Sequence, residues 1–339
     1  MKKTYCLAIV WLCFLMMVAL TACGQSSEKE ILSGEQKNEA EMLKGYESVT
    51  IKTKDRTIQF NEMPKRVVTF DIHPAEIMLE LGLEEYMVGT AANPDDILPK
   101  YREVYSKIPV LSRGLYPSKE AFLAVNPDFV YSGWDSTFQE DRIGTVDQLN
   151  ELGIKAYSHQ SSNIVGPTLE DVYQDIRKIG HIFKVEDRSE KLIESLNNSI
   201  NDVRQRIERR IGTVEDPLRV FVYDSGEGVP FTATQTILTE LIKMAGGKNI
   251  FDDIEKNWTT VTWEEVVQRN PEVIVIMDYG DTTVEQKKQV LFNKPALADV
   301  DAIKNKRIVV MPLDYTFEGV RIPIALEKLA KFFYPEVFK

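Results

Sequence analysis

The sequence predicts an α/β protein built as two similar lobes joined by one long helix. Strand-like and helix-like segments alternate, and their order occurs twice. A stretch without proline and with Gly180 as its sole glycine, 168–210, separates the two occurrences. Size agrees, since 339 residues at 43% hydrophobic exceed what one core usually holds, roughly 250 to 300 residues.

In chain order, Val49-Thr50-Ile51 and Thr57-Ile58-Gln59-Phe60 alternate as a hairpin does, and Pro64 to Phe70 reads as a buried strand. Asp71-Ile72-His73-Pro74 is a tight turn into a helix from Ala75 to Leu81, because proline suits a first helical turn and Gly82 its stop. A short strand at 86–89, a helix at 118–125, the strand Asn126 to Tyr131 and the strand Ile154 to Tyr157 follow.

The second half repeats the plan. Arg219 to Tyr223 matches the first strand, Thr236 to Ala245 the first helix, Gly246-Gly247 its stop, and Asn249-Ile250-Phe251 the next strand. Trp263 to Gln268 is a helix before Asn270 to Ile276, and Arg307 to Val310 closes the set. Between the halves, Leu192, Ile193, Leu196, Ile200, Val203 and Ile207 recur at helical spacing. Such a helix, rising about 1.5 Å per residue, is a stiff connector that opposes large hinge closure. The fold class is α/β, with two Rossmann-like lobes around central parallel sheets.

The start of the chain fixes the compartment. Lys2-Lys3 precedes a nearly all-apolar run from Cys6 to Leu20, and Thr21-Ala22 supplies the small residues of a cleavage site. A retained membrane helix is the alternative, because the run approaches the roughly 17 to 25 residues that span a bilayer. Leu20-Thr21-Ala22-Cys23 resembles the bacterial lipobox, which implies cleavage before Cys23 and lipidation of its thiol. Two or three acyl chains make such attachment effectively permanent. Cys6 and Cys13 leave with the signal and Cys23 is lipidated, so the exported part holds no disulfide. Residues 24–48 are polar and poor in aromatics, which makes them a tether. The organisation is therefore a signal at 1–22, lipidated cysteine and flexible tether at 23–48, a first lobe at 49–166, a helical segment with the interlobe helix at 167–212, and a second lobe at 213–339.

Several functions are excluded or disfavoured. A formal charge of −11 argues against nucleic acid or anionic lipid headgroups as partners. No nucleophile elbow, phosphate loop, dinucleotide fingerprint or zinc-helix motif is present. The three histidines are few for a bare-metal site. His181 lies in a helical stretch and reads as structural, and His159 ends a strand. His73 is the best placed, because loops after the carboxyl ends of parallel strands are where open α/β sheets bind ligands.

The chain resembles, across nearly all of its mature length, the helical-backbone solute-binding proteins of ABC importers, the group serving iron-siderophore, haem and corrinoid uptake. The matching residues are Pro64-Lys65-Arg66-Val67-Val68, Leu123 to Val130, Ala245 to Phe251, Thr262-Trp263-Glu264 through Ile274, and Gly319 with the closing helix to Tyr334-Pro335. The resemblance implies a ligand cleft between the lobes, no catalysis, no resident cofactor, and a monomer serving a permease dimer with a cytoplasmic ATPase. It also implies a surface glutamate on each lobe that docks into permease arginines; Glu120 takes the first position and Glu240 is offered for the second.

If strand ends and loops face the cleft, its lining is His73, Arg113, Tyr116, Trp134 and Asp135 from the first lobe. Tyr223, Phe231, Trp258, Tyr279 and Tyr315 line it from the second. Aromatics in such loops suit a large, partly apolar ligand, and Arg113 suits an anionic group on it. The expected cargo is an iron-siderophore-type metal complex, with corrinoid, haem and bare metal as alternatives. An exported lipoprotein enzyme and a surface adhesin are the competing classes.

Overall fold

The computed structural model describes residues 45–113, 116–212 and 216–339. The export signal, Cys23 and most of the tether lie outside the described residues.

A two-stranded antiparallel ribbon of β1 (Val49–Lys52) and β2 (Thr57–Phe60) opens the fold. Their alternating burial puts Val49, Ile51, Ile58 and Phe60 inward. The first lobe is a parallel sheet of β3 (Val67–Phe70), β4 (Met87–Thr90), β5 (Phe129–Ser132) and β6 (Lys155–Ser158), in the order β4-β3-β5-β6. Its helices are α1 (Ile72–Glu80), α2 (Arg102–Tyr105), α3 (Lys119–Ala124) and α4 (Val146–Glu151).

Two helices follow where the sequence shows one helical stretch. α5 (Leu169–Ile182) and α6 (Glu186–Ile211) break at Phe183–Val185, where Lys184 has φ 55°. α6 is the connector, and it packs on α5 and on the last helix of the second lobe. Its inward stripe, Ile193, Leu196, Ile200, Val203 and Ile207, is buried along its length.

The second lobe is built on β7 (Leu218–Tyr223), β8 (Phe231–Ala233), α7 (Ile237–Met244), β9 (Gly247–Asn249) and β10 (Trp258–Thr260). α8 (Trp263–Arg269), β11 (Val273–Asp278), α9 (Val284–Asn293), α10 (Asp301–Lys304), β12 (Ile308–Pro312) and α11 (Ile322–Phe333) complete it. Its parallel sheet runs β12-β11-β7-β9, the same order as the first lobe when the strands are counted within each half.

The internal duplication extends to side-chain roles. In the first lobe Arg66 Nε donates to the Asn126 carbonyl (2.6 Å), and Asp128 accepts from the Lys65 and Arg66 amides (2.8 and 2.9 Å). In the second, Arg219 Nε donates to the Asn270 carbonyl (2.8 Å) and Glu272 accepts from the Arg219 amide (3.0 Å). Both asparagines take left-handed backbone (φ 48° and 38°), a conformation their short polar side chain tolerates. The repeated Asn-Pro-acid is therefore one device used twice: it starts a central strand and ties it to the head of its neighbour.

Two expectations shift. The strand expected at Asn249-Ile250-Phe251 runs instead from Gly247 to Asn249. Gly246 alone ends α7, with φ 85°, and Gly247 is already in the sheet, where a Cβ would press on Phe333, Ile242 and Val220. Phe231 is not in a loop: β8 pairs antiparallel with β10 in a small separate sheet.

Candidate ligand cleft between the lobes

Each parallel sheet reverses its order of assembly between its first and third strands, β3 and β5 in one lobe, β7 and β11 in the other. Ligands of open α/β sheets bind at the carboxyl ends of such strands. The loops leaving these four strands meet. Asp71 and Ile72 after β3, Trp134 after β5, Asp224 after β7 and Tyr279 after β11 line one cavity of about 550 Å³. Asp71 and Asp224 occupy the same place in the two halves, directly after the first strand of each sheet. An adjoining cavity of about 690 Å³ shares Asp96, Tyr279, Leu313, Asp314 and Phe317 with it and adds Tyr315, Arg102 and Arg321. Volumes of this order fit a small organic ligand or metal complex.

The walls are aromatic. Phe231 and Trp258 stack face to face across β8 and β10, with centroids 5.9 Å apart and planes 19° from parallel. Trp134 meets Phe317 edge-on at 4.8 Å and 84°.

Carboxylates complete the lining. Asp71 holds φ 71° and ψ 163°, a region that non-glycine residues enter only at a cost of roughly 1 to 3 kcal/mol and that clusters at ligand sites. Its Oδ2 accepts from the Gly133 amide (3.1 Å), and burial raises its carboxyl to about 6. Asp224 accepts from the Tyr279 hydroxyl (2.6 Å) and the Ser225 hydroxyl (2.9 Å). Burial and then that bond to Asp224 push Tyr279 up to about 12. Lys287 lies beneath, 4.6 Å from the Tyr279 ring centre, donating to the Met277 carbonyl at 2.6 Å.

Of the ten lining residues expected from sequence, Trp134, Phe231, Trp258 and Tyr279 line the first cavity and Tyr315 the second. The other five stand elsewhere. His73 is buried beneath the floor, wedged against Trp134, His159 and Phe317 at 5.0 to 5.3 Å. Tyr223 packs into the second-lobe core against Trp263 at 5.6 Å, because the inward side of a central strand faces its helices. Tyr116 packs on Phe70 (6.2 Å) under Arg142 (4.0 Å). Asp135 turns back to accept from Ser158 within its own lobe. Arg113 is exposed and pairs with Asp95 at 3.5 Å. Sequence reasoning passed over Asp71, Asp224, Asp96, Asp314 and Phe317. The first two could have been found as the residues that end the duplicated strands.

Beneath the floor lies a buried polar network. The Ser162 hydroxyl donates to Glu318 Oε2 (2.8 Å) and receives from His73 Nε2 (3.3 Å). Burial lifts Glu318 to about 7 and, with neighbouring His159 and Arg321, holds His73 well below the usual imidazole range. Asp175 accepts from the Ser161 amide and hydroxyl (2.9 and 2.6 Å) and from Tyr157. Among the described residues, no three His, Cys, Asp or Glu side chains converge as a metal-binding group.

The two candidate docking residues differ in setting. Glu120 is exposed in the first turn of α3, whose cap Ser118 accepts from the Ala121 amide at 3.2 Å. Glu240 is half-buried on α7, 3.8 Å from Lys243.

Residues 67–315 match the sequence pattern of a family described as "Periplasmic binding protein". The whole chain is 24% identical over 342 residues to an uncharacterized ABC transporter substrate-binding lipoprotein, YvrC, of Bacillus subtilis (strain 168), covering 100% of each. A vitamin B12-binding protein of Pectobacterium atrosepticum is 22% identical over 65% of this chain and 74% of its own length. Among solved structures, a periplasmic binding protein from Veillonella parvula superposes with a TM-score of 0.76 at 28% identity, over 85% of this chain and 98% of that one. An ABC-type Fe3+-hydroxamate transport system from Saccharomonospora viridis gives 0.70 at 23% identity, over 84% and 98%.

Proposed function

Because the chain belongs to the periplasmic binding protein family and is the substrate-binding protein of an ABC transporter, we propose that its cleft captures an intact metal complex of the siderophore type and presents it to a permease. The carrying observation is the meeting of the four switch-point loops in an aromatic cavity open to both lobes. A cavity walled by Trp134, Phe231, Trp258 and Phe317 suits the organic periphery of a chelate better than a hydrated ion, which would need several converging ligands. The names of its relatives, which include vitamin B12-binding and haem-binding proteins, support the same breadth of cargo. The relatives are binding proteins, so capture without turnover is the activity.

In this reading Cys23 carries the lipid that holds the protein at the outer face of the cell membrane, and Glu120 and Glu240 meet the permease dimer that its ATPase drives. Metabolic labelling with a fatty acid tests the anchor: label should enter the chain and be lost in Cys23→Ala.

The cargo is tested by tryptophan fluorescence of the full chain in detergent, since Trp134 and Trp258 line the cavity. Saturable quenching by a ferric siderophore, a haem or a cobalt corrin below micromolar concentration supports capture of a chelate. Response only to bare metal ions would overturn it.

A further inference from the structure

We propose that the cleft sorts metal complexes by charge, accepting neutral and positively charged ones and rejecting those that carry several negative charges. This rests on the reading of the cleft as a chelate site. Asp71, Asp95, Asp96, Asp224, Asp278 and Asp314 line the two adjoining cavities, against Arg102 and Arg321. Arg321 is already committed: it bonds Glu76 through both carboxylate oxygens (2.7 and 2.8 Å) and also Asp314. Cations beyond the lining are engaged as well. Arg113 pairs with Asp95, Lys287 donates to the Met277 carbonyl, and Arg142 lies on the Tyr116 ring.

Six aspartates against two arginines leave an excess of negative charge even with Asp95 offset by Arg113 and Asp314 by Arg321, and a concave site among apolar rings focuses that potential on its occupant. Any face that Trp134, Trp258 or Phe231 turns to the occupant acts in the same direction, because an aromatic face attracts cations. The expectation from Arg113 of an anionic ligand group is thereby reversed: that guanidinium lies outside the cavity lining. A ferric complex of three hydroxamates is neutral, and an ammonium tail makes it cationic. A tricatecholate complex, or an iron tetrapyrrole with two free carboxylates, brings negative charge against the carboxylates.

Calorimetric titration of the full chain in detergent tests this with one ferric trihydroxamate scaffold bearing an ammonium, an acetylated or a succinylated tail. Cobalt corrins with amide or carboxylate side chains and an iron porphyrin dicarboxylate are run in parallel. Affinity should fall in the order positive, neutral, negative, by roughly tenfold per unit charge at low salt, and the spread should shrink as salt screens it. Asp96→Asn, at an exposed position, and Asp224→Asn should each narrow the spread several-fold. Equal or inverted affinities, tightest binding of an iron porphyrin dicarboxylate, or a spread unmoved by both variants would overturn charge sorting while leaving chelate capture standing. Failure of all of these complexes to bind would remove chelate capture itself, and charge sorting with it.

Discussion

Arg321 reaches across the two lobes to Glu76. Its Nε donates to Oε2 at 2.8 Å and its terminal nitrogen to Oε1 at 2.7 Å, with the side chains 3% and 1% exposed. Glu76 lies on α1 beside the first sheet, and Arg321 precedes α11 of the second. The fork-to-fork geometry fixes orientation as well as distance, so the cleft is pinned at its base by a charge pair as well as by the α6 connector.

A buried pair is weak evidence of net stabilisation, yet losing one partner strands the other charge. Glu76→Gln should therefore destabilise the protein by about 3 kcal/mol in urea unfolding. Combining it with Arg321→Met should recover part of the loss, because no buried guanidinium is left facing an uncharged amide, while Asp314 still loses its partner. A double variant as unstable as the sum of the two single ones would show that the pair contributes packing rather than charge.

Glu318 makes stability depend on pH with a defined sign. Its folded value is about 7 against an ordinary 4.5, so the folded state keeps a proton that the unfolded chain releases. That contribution is complete below about 4.5 and is lost as pH rises through about 7, a change of about 3 kcal/mol. Asp71 acts in the same sense. His73 and His159, both pushed down by burial, act in the opposite one: their contribution is present above the ordinary 6.5 and is lost as pH falls. Glu318→Gln removes only the first effect. Its stability relative to the unaltered chain should thus climb by about 3 kcal/mol across that window, measured as paired urea midpoints; a flat difference would refute the assignment.

Gly133 is required by close approach. A Cβ there would fall 2.5 Å from His73 Nε2 and 3.0 Å from Asp71 Oδ2, and His73 has no room to withdraw among Trp134, His159 and Phe317. Gly133→Ala should cost about 2 to 3 kcal/mol and weaken ligand binding, since the same amide anchors Asp71. Gly228→Ala, with nothing within 4 Å of the added carbon, should stay within about 0.5 kcal/mol. Equal thermal melts for the two would remove the close-approach argument.

The duplication made most of the architecture legible. Asn126-Pro127-Asp128 and Asn270-Pro271-Glu272 mark the same strand start in each lobe, and the helical stripe from Leu192 to Ile207 marks the connector. The site was legible only in part, for a physical reason. Trp134 and Tyr279 stand just past a strand end, where alternation stops and side chains can face a cleft. His73 and Tyr223 are separated from that edge by a single turn or a single residue, and whether they face the ligand or the core depends on sheet twist and loop path. Asp71 and Asp224 carry no local signal beyond their position, and β8 and β10 are too short for periodicity to register.

Trp134 and Tyr116 offer a test of that division, because both are aromatics expected in the cleft and one of them lines it. Trp134→Ala removes a wall and should weaken chelate affinity at least about tenfold in calorimetry. Tyr116→Ala removes packing on Phe70 and the seat of Arg142, so it should lower stability by about 2 to 3 kcal/mol with affinity unchanged. The reverse pattern would move the site from the loop after β5 to the loop before α3.

Glu120 tests the delivery step separately from capture. α3 is the helix that leads back to β5 in the connection from β4, so its first turn stands toward the carboxyl edge of the parallel sheet, the side on which the cleft opens. An exposed carboxylate there is free to engage a cationic surface, as the proposed docking requires. Glu120→Arg reverses that charge without touching the cavity lining, so chelate affinity should stay within about twofold, whereas uptake of labelled complex by cells carrying the variant should fall at least about tenfold, since like charges across an interface repel. Uptake equal to that of the unaltered protein would exclude Glu120 from docking and leave the cleft and its cargo untouched.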